Sequence, residues 1–181
     1  MGLLLSTVFE DIMNRLKGRT SLLILGLDNA GKTQILYCMK LGHCITNTVP
    51  TLGFNMEEFE YKHLTIKAWD LGGQDKYRSM WHHYFHDVDG VIFVVDSQDR
   101  DRFSDAKAEL HALLKREELR DVPFLVFANK QDLPYAAELV ELKKQLGWDF
   151  VKDREKLHIV ACTATENHRV NIGLDWMVNS I

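Results

Sequence analysis

The chain has 181 residues, of which 46% are hydrophobic, and a net charge of −4 from 22 Lys and Arg against 26 Asp and Glu. That length suits one domain with a well-buried core, and no Pro-, Ser- or Gly-rich linker, charge block or internal repeat marks a second. The acidic balance gives no broad attraction for nucleic acid, and the three cysteines, Cys38, Cys44 and Cys162, lack metal-ligand spacing and read most simply as reduced thiols.

The amino terminus, Met1-Gly2-Leu-Leu-Leu-Ser6, fits the N-myristoylation pattern, with Gly2 exposed once Met1 is removed. Leu4, Leu5, Val8, Phe9, Ile12, Met13 and Leu16 recur at helical spacing opposite Glu10, Asp11, Asn14 and Arg15, which predicts an amphipathic membrane-binding helix over residues 1–17. The apolar run is too short and too interrupted by carboxylates to span a bilayer, and no cationic segment or cleavage site suggests a signal peptide. One myristoyl chain binds membranes only marginally, with a constant of about 10⁴ M⁻¹, so the helix is the natural second anchor.

Residues 18–181 read as a nucleotide-binding domain. The apolar run Leu22–Leu25 leads into Gly26-Leu-Asp28-Asn29-Ala30-Gly31-Lys32-Thr33, which fits the phosphate-loop pattern G-x-x-x-x-G-K-[ST] at every fixed position. The helical pattern Lys32–Leu41 follows, and that strand–loop–helix context separates a phosphate cradle from a glycine-rich turn. Glycines let successive backbone N–H groups surround an anion, and the helix start adds its positive dipole end. Lys32 is expected on the β- and γ-phosphates and the Thr33 hydroxyl on Mg²⁺.

Phe59 and Tyr61, then Leu64, Ile66 and Ala68, alternate with polar residues, so Met56–Trp69 predicts a β-hairpin turning at Lys62-His63, at the sheet edge. It ends in Trp69-Asp70-Leu71-Gly72-Gly73-Gln74. There Asp70 can hold Mg²⁺ through its water shell, Gly73 can bring an N–H against a γ-phosphate, and Gln74 can orient an attacking water. Alone, that run is also a common turn. His82, His83 and His86 lack the carboxylate or cysteine that would complete a metal set, so they are not expected to bind one.

Val91–Val95, Phe124–Ala128 and Leu157–Ala161 are further runs apolar on both faces, as parallel strands covered by helices require. Helical patterns over Arg102–Glu117, Tyr135–Leu146 and Arg169–Ser180 alternate with them, with Pro134 suited to a helix's first turn. The alternation predicts a doubly wound α/β domain. Asn129-Lys130-Gln131-Asp132 follows one strand, where the Asp132 carboxylate can accept both N–H donors of guanine's edge, a pair adenine does not offer. After the next strand, a backbone N–H from Thr163-Ala164-Thr165 can meet the guanine oxygen. An ATP-using phosphotransferase would share the phosphate loop, but Asn129 to Asp132 argue against it.

The segments GLDNAGKT, TVPTLGFN, WDLGGQDK, HHYF, FVVDS, FANKQDLP and GLDWM together resemble a small GTPase of the ADP-ribosylation factor (Arf) family, over essentially the whole chain. The resemblance implies a mostly parallel six-stranded sheet with one antiparallel edge strand and helices on both faces. It implies a GTP/GDP site drawn from Asp28 to Gln34, Thr51, Gly73, Asn129, Lys130, Asp132, Thr163 and Ala164, with Thr33 and Thr51 ligating Mg²⁺. Gln74 would be the catalytic residue of a GTPase that is slow without an activating protein, since no arginine in the motifs stands as an internal finger. Phe54, Trp69 and Tyr84 match an effector-reading surface, although ordinary core is their other reading. The hairpin, joining switch segments Thr46–Asn55 and Asp70–Phe85, would slide in register between nucleotide states. A two-residue slide keeps each side chain on its face.

The implied partners are an exchange factor, an activating protein, coat or other effectors and a membrane, with no nucleic acid. The implied setting is cytoplasmic and peripheral on membranes, Golgi or endosomal, in vesicle trafficking. Three departures mark a divergent, Arf-like member: Gln34 where a second Thr or Ser usually contacts the α-phosphate, one extra residue between Thr33 and Thr51, and Thr163 in place of the usual cysteine. Gln34 leaves open the alternative of a nucleotide-dependent binding module with very low hydrolysis.

Overall fold

The structure is a computed structural model that describes residues 18–45, 48–62 and 64–181. The expected amino-terminal helix with Gly2, residues 46 and 47 of the first switch and His63 at the hairpin turn lie outside them. Six strands form one sheet: β1 (Gly18–Gly26), β2 (Phe54–Tyr61), β3 (Leu64–Leu71), β4 (Gly90–Asp96), β5 (Phe124–Asn129) and β6 (Leu157–Ala161). Their order is β2-β3-β1-β4-β5-β6. Among the described residues only the β2–β3 pair is antiparallel, with Phe54 opposite Leu71 and Tyr61 opposite Leu64; the other pairs run parallel. The doubly wound architecture with one antiparallel edge strand is therefore present as expected.

The central strands carry apolar residues at successive positions because both faces are covered. One face, with Leu22, Ile24, Ile66, Ile92, Val94, Leu125 and Phe127, packs against α1 (Lys32–Leu41) and the last helix, Asn167–Ser180. The other, with Leu23, Leu25, Val91, Phe93, Phe124 and Val126, takes helices Phe103–Leu114 and Leu139–Gln145. In chain order after α1, the helices are α2 (Asp75–Arg78), α3 (Phe103–Leu114), α4 (Leu139–Gln145) and α5 (Asn167–Ser180). By contrast β2 lies at the open edge and has Phe59 as its one buried residue, which fits its alternating sequence. No helix among the described residues is long and apolar enough to cross a membrane.

Two expectations are corrected. The helix predicted from Tyr135 begins only at Leu139, and Pro134 and Tyr135 form a turn with Tyr135 at φ +67°. Hydrogen bonds from Ala137 N–H to Ser97 O at 2.6 Å and from Gln98 Nε2 to Pro134 O at 2.6 Å draw that segment onto the loop after β4. The cysteines are not all free thiols: Cys38 and Cys44 form a disulfide, leaving buried Cys162 free. Gly42 at φ +68° reverses the chain after α1 and brings the two Cα atoms within 4.3 Å, a reversal that linear spacing does not report.

Candidate functional site

The carboxyl ends of β1 and β3 lie side by side, Ile24 opposite Asp70, so the loops that leave them share one corner of the molecule. The loop from β1 closes at Gly31, which caps α1 at φ +95°, ψ +20°. A side chain there would be strained, and its Cβ would also meet Asn129 Nδ2 at 2.3 Å. Asp28, Asn29, Gly31, Lys32, Thr33 and Gln34 line one cavity of about 290 Å³ together with Thr48, Val49, Pro50, Thr51, Gly73, Gln74 and Lys130. The structure thus brings the expected phosphate-loop and switch residues to a single opening.

Lys32 is buried with Nζ donating to Gly26 O at 3.1 Å and Leu27 O at 2.8 Å. Burial pushes its pKa down to about 8, opposed by the carboxylates of Asp70 and Asp28. A bound polyanion would favour the charged ammonium in the same way. Gly73 packs directly on the loop: a Cβ would stand 2.3 Å from Leu27 C and 2.4 Å from Asp28 N and Gly26 O. No other residue permits that approach. Arg78 Nε donates to Gly73 O at 2.8 Å while Nη1 meets Glu109 on α3 at 3.0 Å, which braces this turn from behind. No motif drew attention to Arg78.

Three side chains from separate segments converge beside Lys32. The Thr33 hydroxyl donates to Asp70 Oδ2 at 2.6 Å, the Thr51 hydroxyl donates to the same oxygen at 3.0 Å, and the two hydroxyl oxygens are 2.9 Å apart. Asp70 is fully buried, its Oδ1 has no hydrogen-bond partner among the described residues, and burial raises its pKa above the usual carboxylate range. A buried carboxylate with an unpartnered oxygen is costly on its own. The donor set, two hydroxyls and a carboxylate, is all hard oxygen and fits Mg²⁺, whose charge would offset the burial of Asp70.

The nucleobase residues divide. Asn129 is buried and spends both ends within the protein: Nδ2 donates to Ala30 O at 2.8 Å, and Oδ1 accepts the Ala164 N–H at 2.9 Å. It therefore clamps the phosphate loop to the loop after β6, and of the Thr163-Ala164-Thr165 N–H groups from which one was expected on a guanine oxygen, that of Ala164 is engaged here with Asn129. Lys130, at φ +66°, pairs with Asp96 at 2.7 Å and lines the cavity. Gln131 N–H donates to Cys162 O at 3.2 Å, setting the exposed Asp132 close to buried Thr163. Asp132 and Thr163 do not themselves line the cavity. Phe54, Trp69 and Tyr84 sit away from it as one cluster, ring centroids 5.4–5.9 Å apart, with Phe54 54% exposed. The cluster joins the hairpin to the second switch, with Trp69 and Tyr84 half-buried against the core and Phe54 exposed.

Two comparisons meet this geometry. The sequence matches the ADP-ribosylation factor family over residues 5–181. Among solved structures, the chain resembles the Arl6 BBS3 small GTPase from Trypanosoma brucei with bound nucleotide analogue GppNp, at a TM-score of 0.82 and 34% identity, over 90% of this chain and 96% of that one. With the phosphate loop, the threonine–aspartate corner and the sheet order all in place, the chain belongs to the ADP-ribosylation factor family of small GTPases.

Proposed function

We propose that this chain is a GTP-binding and GTP-hydrolysing switch of the Arf type that couples its nucleotide state to membrane attachment and effector recruitment in vesicle trafficking. The observation that carries the reading is the meeting of Thr33, Thr51 and Asp70 within 3.0 Å of one another, since Thr51 belongs to the first switch and Asp70 leads into the second. When bound there, Mg²⁺ neutralises phosphate charge. Lys32 and the Asp28–Thr33 backbone hold the phosphates, Thr33 and Thr51 hold the ion and Asp70 supports it. Gly73 reads the γ-phosphate through its close packing on Asp28. Gln74 orients the water that attacks phosphorus as the bond to the β-phosphate oxygen breaks, giving GDP and phosphate. An activating protein supplies the missing arginine, an exchange factor replaces GDP, and coat or other effector proteins read the Phe54–Trp69–Tyr84 patch. The protein works at the cytoplasmic face of Golgi or endosomal membranes.

Base choice tests the nucleotide reading. GTP is expected to displace a fluorescent guanine nucleotide where ATP does not. In Asp132→Asn, guanine affinity is expected to fall by roughly ten- to a hundredfold, as one unmade buried hydrogen bond implies, while xanthine nucleotides gain because the amide matches their carbonyl. Equal competition by ATP, or unchanged guanine preference in the variant, would reassign base recognition.

Membrane coupling rests on Gly2 and the apolar face over residues 3–16. Its leucine-sized side chains, at roughly 1.5–3 kcal/mol each when buried, exceed the ~5.5 kcal/mol needed to turn a 1:99 equilibrium to 99:1. A membrane that captures the helix in the GTP state then strengthens GTP binding reciprocally. Deleting residues 2–17 is expected to ease exchange of GDP for GTP without lipid and to abolish retention on liposomes by the acylated protein. Unchanged exchange, with liposome binding alike in both nucleotide states, would remove the coupling.

A further inference from the structure

Arg102 stands immediately before α3, outside every motif, and its guanidinium reaches into the phosphate loop. Nη1 donates to Asp28 Oδ1 at 2.7 Å and Nη2 to the Asp28 carbonyl at 3.3 Å. Behind it Asp99 fixes the guanidinium, accepting from Nε at 2.7 Å and pairing with Nη2 at 2.5 Å. The result is a chain of charges, Asp99 to Arg102 to Asp28, that ends on the rim of the cavity holding Lys32, Thr33 and Gly73. Asp28 is an awkward residue for that rim, because a bare carboxylate repels the phosphates the loop is shaped to receive.

We propose that Arg102 is a positioning residue for nucleotide binding, neutralising the Asp28 carboxylate and fixing the loop between Gly26 and Gly31. The proposal rests on reading the cavity as a phosphate site. Arg102 does not enter the cavity lining, so it acts on phosphate only through Asp28. A planar fork suits the task, since one guanidinium reaches both the carboxylate and the carbonyl of Asp28 while Asp99 holds its far side. Both partners are part-exposed, Arg102 at 31% and Asp28 at 44%, so solvent screens the pair and a moderate effect is expected.

Dissociation of a fluorescent GTP analogue from the full chain with Mg²⁺ tests this in a double-mutant cycle. Arg102→Ala is expected to speed release about three- to tenfold, more for the triphosphate than for the diphosphate. Asp28→Asn added to Arg102→Ala should bring release back to within about twofold of the unsubstituted protein, because no uncompensated carboxylate remains. If the double variant releases nucleotide as fast as Arg102→Ala, Arg102 merely tethers the loop and charge compensation is wrong; an unaltered rate in Arg102→Ala also overturns it. Arg102→Gln, which keeps a donor for the Asp28 carbonyl without the charge, replaces alanine should that variant fail to fold. The same proteins titrated with inorganic tripolyphosphate separate this from the base reading: a cycle that persists there supports Arg102 even where guanine preference is absent, and no coupling there overturns it.

Discussion

Asn129→Ala is expected to lower stability by about 3 kcal/mol even without nucleotide. Removing the amide strands two buried backbone groups, Ala30 O and the Ala164 N–H, and each unsatisfied group costs about 1–3 kcal/mol. For a domain of this size that corresponds to a fall of roughly 6–12 °C in Tm. Nucleotide binding should weaken with it, since Ala30 lies within the phosphate loop and loses its tie to β5. Asn129→Asp separates the two ends of the clamp: it keeps an acceptor for Ala164 but loses the donor and sets a carboxylate against Ala30 O, so it too should destabilise. Thermal unfolding of nucleotide-free protein checks this. A residue that only contacts the base would leave that Tm unchanged, and an unchanged Tm would return Asn129 to that role.

The two-sided apolar runs of β1, β4, β5 and β6 and the alternation of β2 and β3 were legible because strand burial writes itself into residue order. The phosphate loop was legible for a similar reason: its glycines, Lys32 and Thr33 act within eight consecutive positions. What stayed hidden joins segments far apart in the chain. Asn129 meets Ala30 across 99 positions and Arg102 meets Asp28 across 74, and no local period reports either pairing. Read linearly, Asn129 belonged with the base and Arg102 was only the first residue of the helical pattern Arg102–Glu117. The turn at Tyr135 misled in another way. Its composition suits a helix, but bonds to Ser97 and Gln98 on the neighbouring loop outweigh that weak preference. The Cys38–Cys44 pair likewise depends on the left-handed Gly42, whose effect is visible only once the helix end is known.

Gln74→Leu should leave folding and GTP affinity close to those of the unsubstituted protein while GTP hydrolysis falls at least about a hundredfold, the usual cost of losing one oriented polar group at a reacting centre. The structure separates the two effects. Gln74 precedes α2 in extended geometry, φ −64° and ψ 146°, and its carbonyl accepts Tyr77 N–H at 2.9 Å and Arg78 N–H at 3.3 Å. Those bonds belong to the backbone and survive in leucine. Gly73 stays braced by Arg78, so the loop that carries residue 74 keeps its position. The side chain makes no capping bond to α2 and instead lines the cavity beside Thr51 and Gly73. Leucine has nearly the same volume but neither a donor nor an acceptor, so water orientation is lost without opening a hole. The phosphate contacts assigned to Lys32 and the loop backbone are untouched, which is why affinity should hold. Single-turnover assays with radiolabelled GTP, without and with an Arf-family activating domain, measure the rate; equilibrium titration measures affinity. Hydrolysis near the unsubstituted rate would remove Gln74 from the chemistry, and a parallel loss of affinity would make it a binding residue.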